Sequence, residues 1–447
     1  MRALALGLLL ATTAPAAAAG IDGAAIEKAV AADWSGYLAP LYDHFHRNPE
    51  LSFVEVNTAA RMAKELRAVN GMEVTEKVGG TGVVGVLRNG PGPTILLRAD
   101  MDGLPLEEAS GLPNASKVRQ ANREGVVQPV MHACGHDTHI TGLVGTARRL
   151  AALRDQWSGT IVFVVQPAEE RISGARAMVD DGFFTRFPKA DYALGWHVDA
   201  DSPTGTVGVA PGLVSSSSDT IDIIVHGVGS HGASPHQGKD PVVMGSQIVM
   251  ALQTLPSREI DPLQPAVVTV GAFHAGAKHN IISDKAELLL TVRADSQTVR
   301  DQLVAGIERI AKNVGRMNGM PEDRLPTVKV SDERTIPTMN DPELVTRLRT
   351  TFAGAFGPKV LNQVAREGMG AEDYPYLVAP GVKSVYFTVG GTPQAAFDAA
   401  KAGGPPVPGH HSPLFKVDGE AAVKLGAATM TAAVLDLAPA AGAAAAR

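Results

Sequence analysis

Four short runs of unbroken apolar character constrain this chain most: 94–99 (TILLRA), 160–165 (TIVFVV), 191–195 (DYALG) and 383–389 (KSVYFTV). A strand with one wet face alternates apolar and polar residues, whereas a strand apolar throughout must be covered on both faces. Helical patterns lie between the runs. Residues 138–153 place Ile140, Leu143, Val144, Ala147, Leu150 and Ala151 on one face, the 3.6-residue spacing of an amphipathic helix. The combination predicts an α/β domain whose central sheet is enclosed by helices. Charged residues follow the runs: Asp100 and Asp102 after the first, Glu169 and Glu170 after the second, His197 after the third. Open α/β sheets bind ligands beyond the carboxyl ends of their strands, so these residues are expected to converge.

The texture changes between residues 215 and 331. Its order is strand 220–225, helix 241–255, strand 266–273, strand 285–292, helix 298–317 and strand 327–330. That β-α-β-β-α-β order is ferredoxin-like. The polar run 215–219 and the stretch around Ile336 and Pro337 read as its two connections. A chain of 447 residues is too long for one core. The expected division is a catalytic domain in two pieces, 20–214 and 332–438, with a smaller domain inserted at 215–331. Gly212 and Pro337 are the hinge candidates.

Residues 1–19 have the pattern of a secretory signal: Arg2, an apolar stretch from Ala3 to Leu10, then Ala17, Ala18 and Ala19 before a cleavage site. The alternative is an anchoring helix, which Pro15 and the short apolar stretch oppose. The expected mature protein is soluble, periplasmic or secreted, with no membrane association and an Ala-rich tail at 439–447. The net charge of −6 and the lack of any long Lys/Arg run argue against a nucleic-acid partner. Cys134 is the only cysteine, so an intrachain disulfide is excluded.

The segment 131–137, MHACGHD, puts a thiol and an imidazole two residues apart at a helix start, where Cys134 and His136 can face one cation. A buried structural cysteine beside a hydrogen-bonded histidine is the competing reading; His139 is a further donor on spacing alone. The segment 166–170, QPAEE, places two carboxylates side by side after a buried strand. Their repulsion is relieved by a cation, with one carboxylate binding it and the other free to act as a base. A solvated acidic turn beside Arg171 is the alternative. His197 and His411 complete a set able to hold two metal ions ~3.5–4 Å apart.

With these motifs in view, the chain resembles the aminoacylase and carboxypeptidase-type metallopeptidases, in the amidohydrolase branch that includes hippurate hydrolases and auxin-conjugate hydrolases. The resemblance is carried in order by RADMDGLP (98–105), MHACGHDTH (131–139), QPAEE (166–170), GWH (195–197), GSHGASPH (229–236), HNIIS (279–283), GAEDY (370–374) and HSPLF (411–415). It implies a zinc-peptidase-like catalytic domain with a mixed central sheet and an inserted lid or dimerisation domain. It implies two divalent ions, of zinc, manganese, cobalt or nickel, held by Cys134, His136, Glu170, His197 and His411. Glu169 becomes the general base that takes a proton from metal-activated water. His231 and Asn280 contact substrate, His231 by reaching the active site of the partner in a homodimer or higher homo-oligomer. Arg293 takes a structural or carboxylate-binding role. Asp100 and Asp102 orient the ligands. The chain departs from the family pattern at Gly103, where Ala is common, at Ser283, where Pro is usual, and at Asp100, where broader members carry His. The implied substrates are N-acyl amino acids or related small amides. Free peptides, cut by a carboxypeptidase or dipeptidase, are the alternative, and an exported solute-binding protein is the non-catalytic one. His44, His46, His226, His236, His274, His279 and His410 read mostly as structural or surface residues, His236 being the likeliest exception. Glu372 and Asp373 have no assigned chemistry.

Overall fold

The fold is described from a computed structural model for residues 20–363, 366 and 368–440. The leader expected at 1–19 and residues 441–447 of the tail lie outside the described residues.

The apolar runs become neighbouring strands of one eight-stranded mixed sheet. The strands are β1 (Met72–Val78), β2 (Gly82–Asn89), β3 (Thr94–Asp100), β4 (Gly159–Gln166), β5 (Tyr192–Pro203) and β6 (Val207–Gly208). A four-stranded second sheet intervenes in the chain, with β7 (Ser217–His226), β8 (Ala266–Ala275), β9 (Lys285–Ala294) and β10 (Thr327–Thr335). The large sheet is completed by β11 (Leu361–Asn362) and β12 (Lys383–Thr392), in the order β1–β2–β4–β3–β5–β12–β6–β11. β3 runs parallel to β4 and β5, and β5 parallel to β12. Alternate residues of β3 and β4 feed two separate cores. Ile95, Leu97, Ile161 and Phe163 belong to one, while Leu96, Val162 and Val164 belong to the other. Both faces are therefore covered, which is why these strands carry no polar alternation.

Helix α1 (His136–Ala152) and the C-terminal helix α4 (Gly419–Leu437) pack together on one face, and both are almost entirely buried. The inserted unit adds helices α2 (Pro241–Leu252) and α3 (Gln297–Met317), which share with the second sheet a core of their own around Ile221, Leu288 and Ile307. Its strand order, β8–β9–β7–β10, is that of a ferredoxin-like module.

The structure departs from the sequence reading in two places. The run 215–219, expected as a connection, is largely strand: Ser217, Ser218 and Asp219 begin β7 and are buried. Asp219 is neutralised by Arg300 at 2.6 Å, and Ser216 bonds Asp295 at 2.6 Å. The chain enters the module through Gly212–Ser215, which pairs with Thr338–Asn340. The strand expected at 191–195 runs on to Pro203, because parallel pairing with β12 continues past its apolar part. His197 thus sits inside the strand opposite Thr388, not beyond its end.

Candidate active site

The loop before α1 sets the first donors. Gly135 has φ +83, and a Cβ there would lie 2.3 Å from Val198 Cγ1, so only glycine makes this turn. The turn places Cys134 before the helix and His136 in its first position. His136 donates its Nδ1–H to the carbonyl of Asp102 at 2.8 Å, which leaves the Nε2 lone pair pointing into the site. That Nε2 has no hydrogen-bond partner among the described residues, although it is buried. It faces Asp100 Oδ2 at 3.5 Å and Glu169 Oε2 and Glu170 Oε1, both at 3.8 Å.

Glu169 and Glu170 stand on a single 3-10 turn, Glu169–Arg171, flanked by Ala168 and Ile172 at φ +49 and +50. Two left-handed non-glycine residues around one turn are strained and persist only where surrounding bonds dictate them. Those bonds are visible. Asp102 accepts from the amides of Glu169 (3.0 Å) and Glu170 (3.1 Å) and from Ser52 Oγ (2.6 Å). Glu55 accepts from the amide of Ala168 at 2.8 Å. Asp102 therefore holds both the turn and His136, as the partners of metal ligands commonly do.

His197 donates Nδ1–H to the carbonyl of Val198 at 2.6 Å and turns Nε2 toward Cys134 Sγ, 3.4 Å away. His411, at φ +62, is tied by its amide to the carbonyl of Ala133 at 2.9 Å and brings Nε2 within 3.4 Å of Glu170 Oε2. Donor atoms of Cys134, Glu170 and His411 lie within 4.8 Å of one another, as do those of His136, Glu169 and Glu170. His139 is different. Its Nδ1–H goes to Asp100 Oδ1 at 2.6 Å and its Nε2 accepts from the amide of Val198 at 2.9 Å, so no lone pair is left for a cation. Spacing made it plausible; its hydrogen bonds make it structural. His410, read from sequence as structural or surface, lies in the cleft wall with Nδ1 3.8 Å from Cys134 Sγ.

The electrostatics favour an added cation. Burial, then the nearby carboxylates Glu372 and Glu170, hold Glu169 well above the usual carboxylate range. Burial lifts Glu170 to about 8 against the pull of His136, with Asp102 and Asp100 adding to the rise. Burial and the negative charges of Glu170 and Glu169 push the Cys134 thiol up. Ionised carboxylates and a thiolate are thus disfavoured here unless positive charge is added. The unpartnered Nε2 of His136, an orphaned Oε1 on Glu170, and His197 Nε2 facing the soft sulfur of Cys134 fit divalent ions that accept S, N and O ligands.

The cleft, about 760 Å³, is lined by Cys134, Glu169, Glu170, His197, Arg293, Arg366, Glu372, Tyr386 and His411, among others. Arg293 comes from β9 of the inserted module, is partly buried, and has no carboxylate within 4 Å among the described residues. His231 and Asn280 are brought together on that module by pairing of Ser230–His231 with Ile281–Ile282, but they are exposed and do not line the cleft.

Arg98 was missed as a chemical residue because it reads as part of an apolar strand. Fully buried, it bonds Asp100 (2.8 Å), Gln166 (2.8 Å) and Glu372 (2.7 Å) beneath the site. An arginine in a run otherwise buried on both faces was the available signal, since a buried charge must be paired.

These donors and this fold define a metal-dependent hydrolase of amide bonds. The chain belongs to peptidase family M20/M25/M40, whose sequence model matches residues 96–435. It is 38% identical over 347 residues to the hippurate hydrolase of Campylobacter jejuni, covering 77% of this chain and 86% of that protein. It is 36% identical over 356 residues to thermostable carboxypeptidase 2 of Saccharolobus solfataricus, covering 77% and 83%. Among solved structures, a dinuclear metal-binding peptidase of family M20 from Bacillus subtilis superposes with a TM-score of 0.70 at 27% identity, covering 91% of this chain and 98% of that one.

Proposed function

We propose that the protein hydrolyses the amide bond of N-acyl amino acids, with two divalent ions held by Cys134, His136, Glu170, His197 and His411. The observation that carries this reading is the turn Glu169–Arg171, where one carboxylate meets the ligand histidines and its neighbour stands beside them over the open cleft. When bound, the ions polarise the substrate carbonyl and lower the pKa of water. Glu169 takes the proton from that water and returns it to the leaving nitrogen. Arg293, in the cleft wall with no carboxylate within 4 Å among the described residues, receives the substrate carboxylate. His231 reaches a neighbouring subunit's site in a homodimer and, with Asn280, contacts substrate, a reading supported by their exposure and by their not lining their own cleft. Asp100 and Asp102 orient the ligands. The leader is removed on export, placing the enzyme in the periplasm or outside the cell.

A second reading, carboxypeptidase action on free peptides, is favoured by the likeness to thermostable carboxypeptidase 2. One assay separates them. Metal-stripped protein is reloaded with zinc, manganese, cobalt or nickel and offered N-acetyl, N-benzoyl and N-lauroyl amino acids beside matching dipeptides. Metal-dependent release of amino acid from the acylated series supports the proposal; cleavage of dipeptides alone replaces it with the second reading.

A further inference from the structure

Glu372, in the GAEDY segment, takes no part in the scheme above, yet it lines the catalytic cleft while its neighbour Asp373 does not. Oxygens of Glu169, Glu372 and Asp373 lie within 4.8 Å of one another. Glu372 is held in place from below. Its Oε1 accepts from Arg98 Nη2 (2.7 Å) and the amide of Tyr374 (2.8 Å). Its Oε2 accepts from the Tyr386 hydroxyl (2.6 Å) and Arg98 Nη1 (3.1 Å). Four donors converge on one carboxylate, an arrangement that fixes its position. Arg98 also bonds Asp100 at 2.8 Å and lies 3.6 Å from Asp373, so its single positive charge is shared among three carboxylates. Glu372 thus presents a fixed carboxylate to the cleft beside the proposed base.

We infer that Glu372 stabilises the positive charge that builds on the leaving nitrogen as the amide bond breaks. The inference rests on the amidohydrolase reading above. Addition of water forms a C–O bond and sends one water proton to Glu169. The nitrogen of the adduct, no longer conjugated, is basic. Transfer of that proton from Glu169 turns its NH into a positively charged NH2, and the C–N bond then breaks with its electron pair going to nitrogen. The remaining hydroxyl proton passes from the new carboxylic acid to the amine, giving a carboxylate and an ammonium. A fixed anion a few ångströms from Glu169 is placed where this charge appears, and preorganised charge of this kind acts on the transition state. An ester with the same acyl group departs as a neutral alcohol and builds no standing charge there.

The test compares N-benzoylglycine with its ester analogue O-benzoylglycolate on metal-loaded wild type, Glu372→Gln and Glu372→Asp, with metal content and Tm recorded for each. Glu372→Gln should lower kcat on the amide about tenfold or more while changing the ester far less. Glu372→Asp, which keeps the charge but draws it back, should give an intermediate amide-to-ester ratio and carries the test if the Gln variant does not fold. An unchanged ratio in the variants overturns the inference, as does an equal fall on both substrates. Failure of the wild type to cleave any N-acyl amino acid would instead defeat the reading on which it rests.

Discussion

His136 Nε2 and Glu170 Oε1 stand 3.8 Å apart, both buried, and neither has a hydrogen-bond partner among the described residues. With Nδ1 donating to Asp102, His136 can bind a cation through Nε2 only in its neutral form, and Glu170 only as the carboxylate. A buried nitrogen and a buried oxygen facing each other with no hydrogen bond between them are costly unless a proton or a metal ion joins them. Chelation should therefore lower Tm by several degrees, and zinc should restore it. Cys134→Ala should lower the bound metal per chain; unchanged stoichiometry by elemental analysis would remove the thiolate from the ligand set.

Glu169 shares the turn with Glu170 but has a separate duty in the proposal. Glu169→Gln keeps the shape and removes the proton acceptor. Turnover is expected to fall about 10³-fold with metal content intact. Near-normal kcat in that variant would show that another group carries the proton.

Asp102 accepts from the amides of both glutamates and offers its carbonyl to His136. Asp102→Asn turns one acceptor oxygen into a donor against those amides. The expected loss is about 10–100-fold in metal affinity or activity, read by metal titration and steady-state rates. A silent substitution would mean that the strained turn is held by Glu55 and the flanking backbone without it.

His46 offers a pH test away from the cleft lining. Burial alone would lower its pKa, but its bonds to Asp137 (2.6 Å) and Glu108 (3.3 Å) outweigh burial and raise it from 6.5 to about 10. A group whose pKa is raised on folding contributes stability that is complete below its unfolded pKa and lost as pH rises through the folded one. His46→Gln should therefore cost about 3 kcal/mol near pH 6 and less near pH 10. Denaturant unfolding of both proteins across that window measures it; a penalty that does not change with pH contradicts the ion pair.

Much of this was legible in the sequence. The apolar runs marked β3, β4, β5 and β12, and the spacing of strands and helices marked the inserted module. Among the ligand candidates, Glu170 was legible because it follows a buried run, and Cys134 and His136 because a thiol and an imidazole stand two residues apart at a helix start. The hydrogen-bond frame was not. Arg98 and Glu372 are 274 residues apart in sequence and meet only once the sheet has formed. Glu55 and Ser52 hold the catalytic turn from a segment with no chemical pattern of its own. The run 215–219 read as a connection because serines and an aspartate show no strand pattern, whereas Asp219 begins β7 and is neutralised by Arg300, 81 residues later. His139 and His410 could be sorted only from their hydrogen bonds and contacts.

The most direct test of the dinuclear proposal is anomalous diffraction from crystals of the zinc-loaded protein. Two peaks are expected ~3.5–4 Å apart, one or both touching each of Cys134, His136, Glu170, His197 and His411, with Glu169 beside them. A single peak, or peaks held by Glu372 and Asp373 with Cys134 left free, would contradict it.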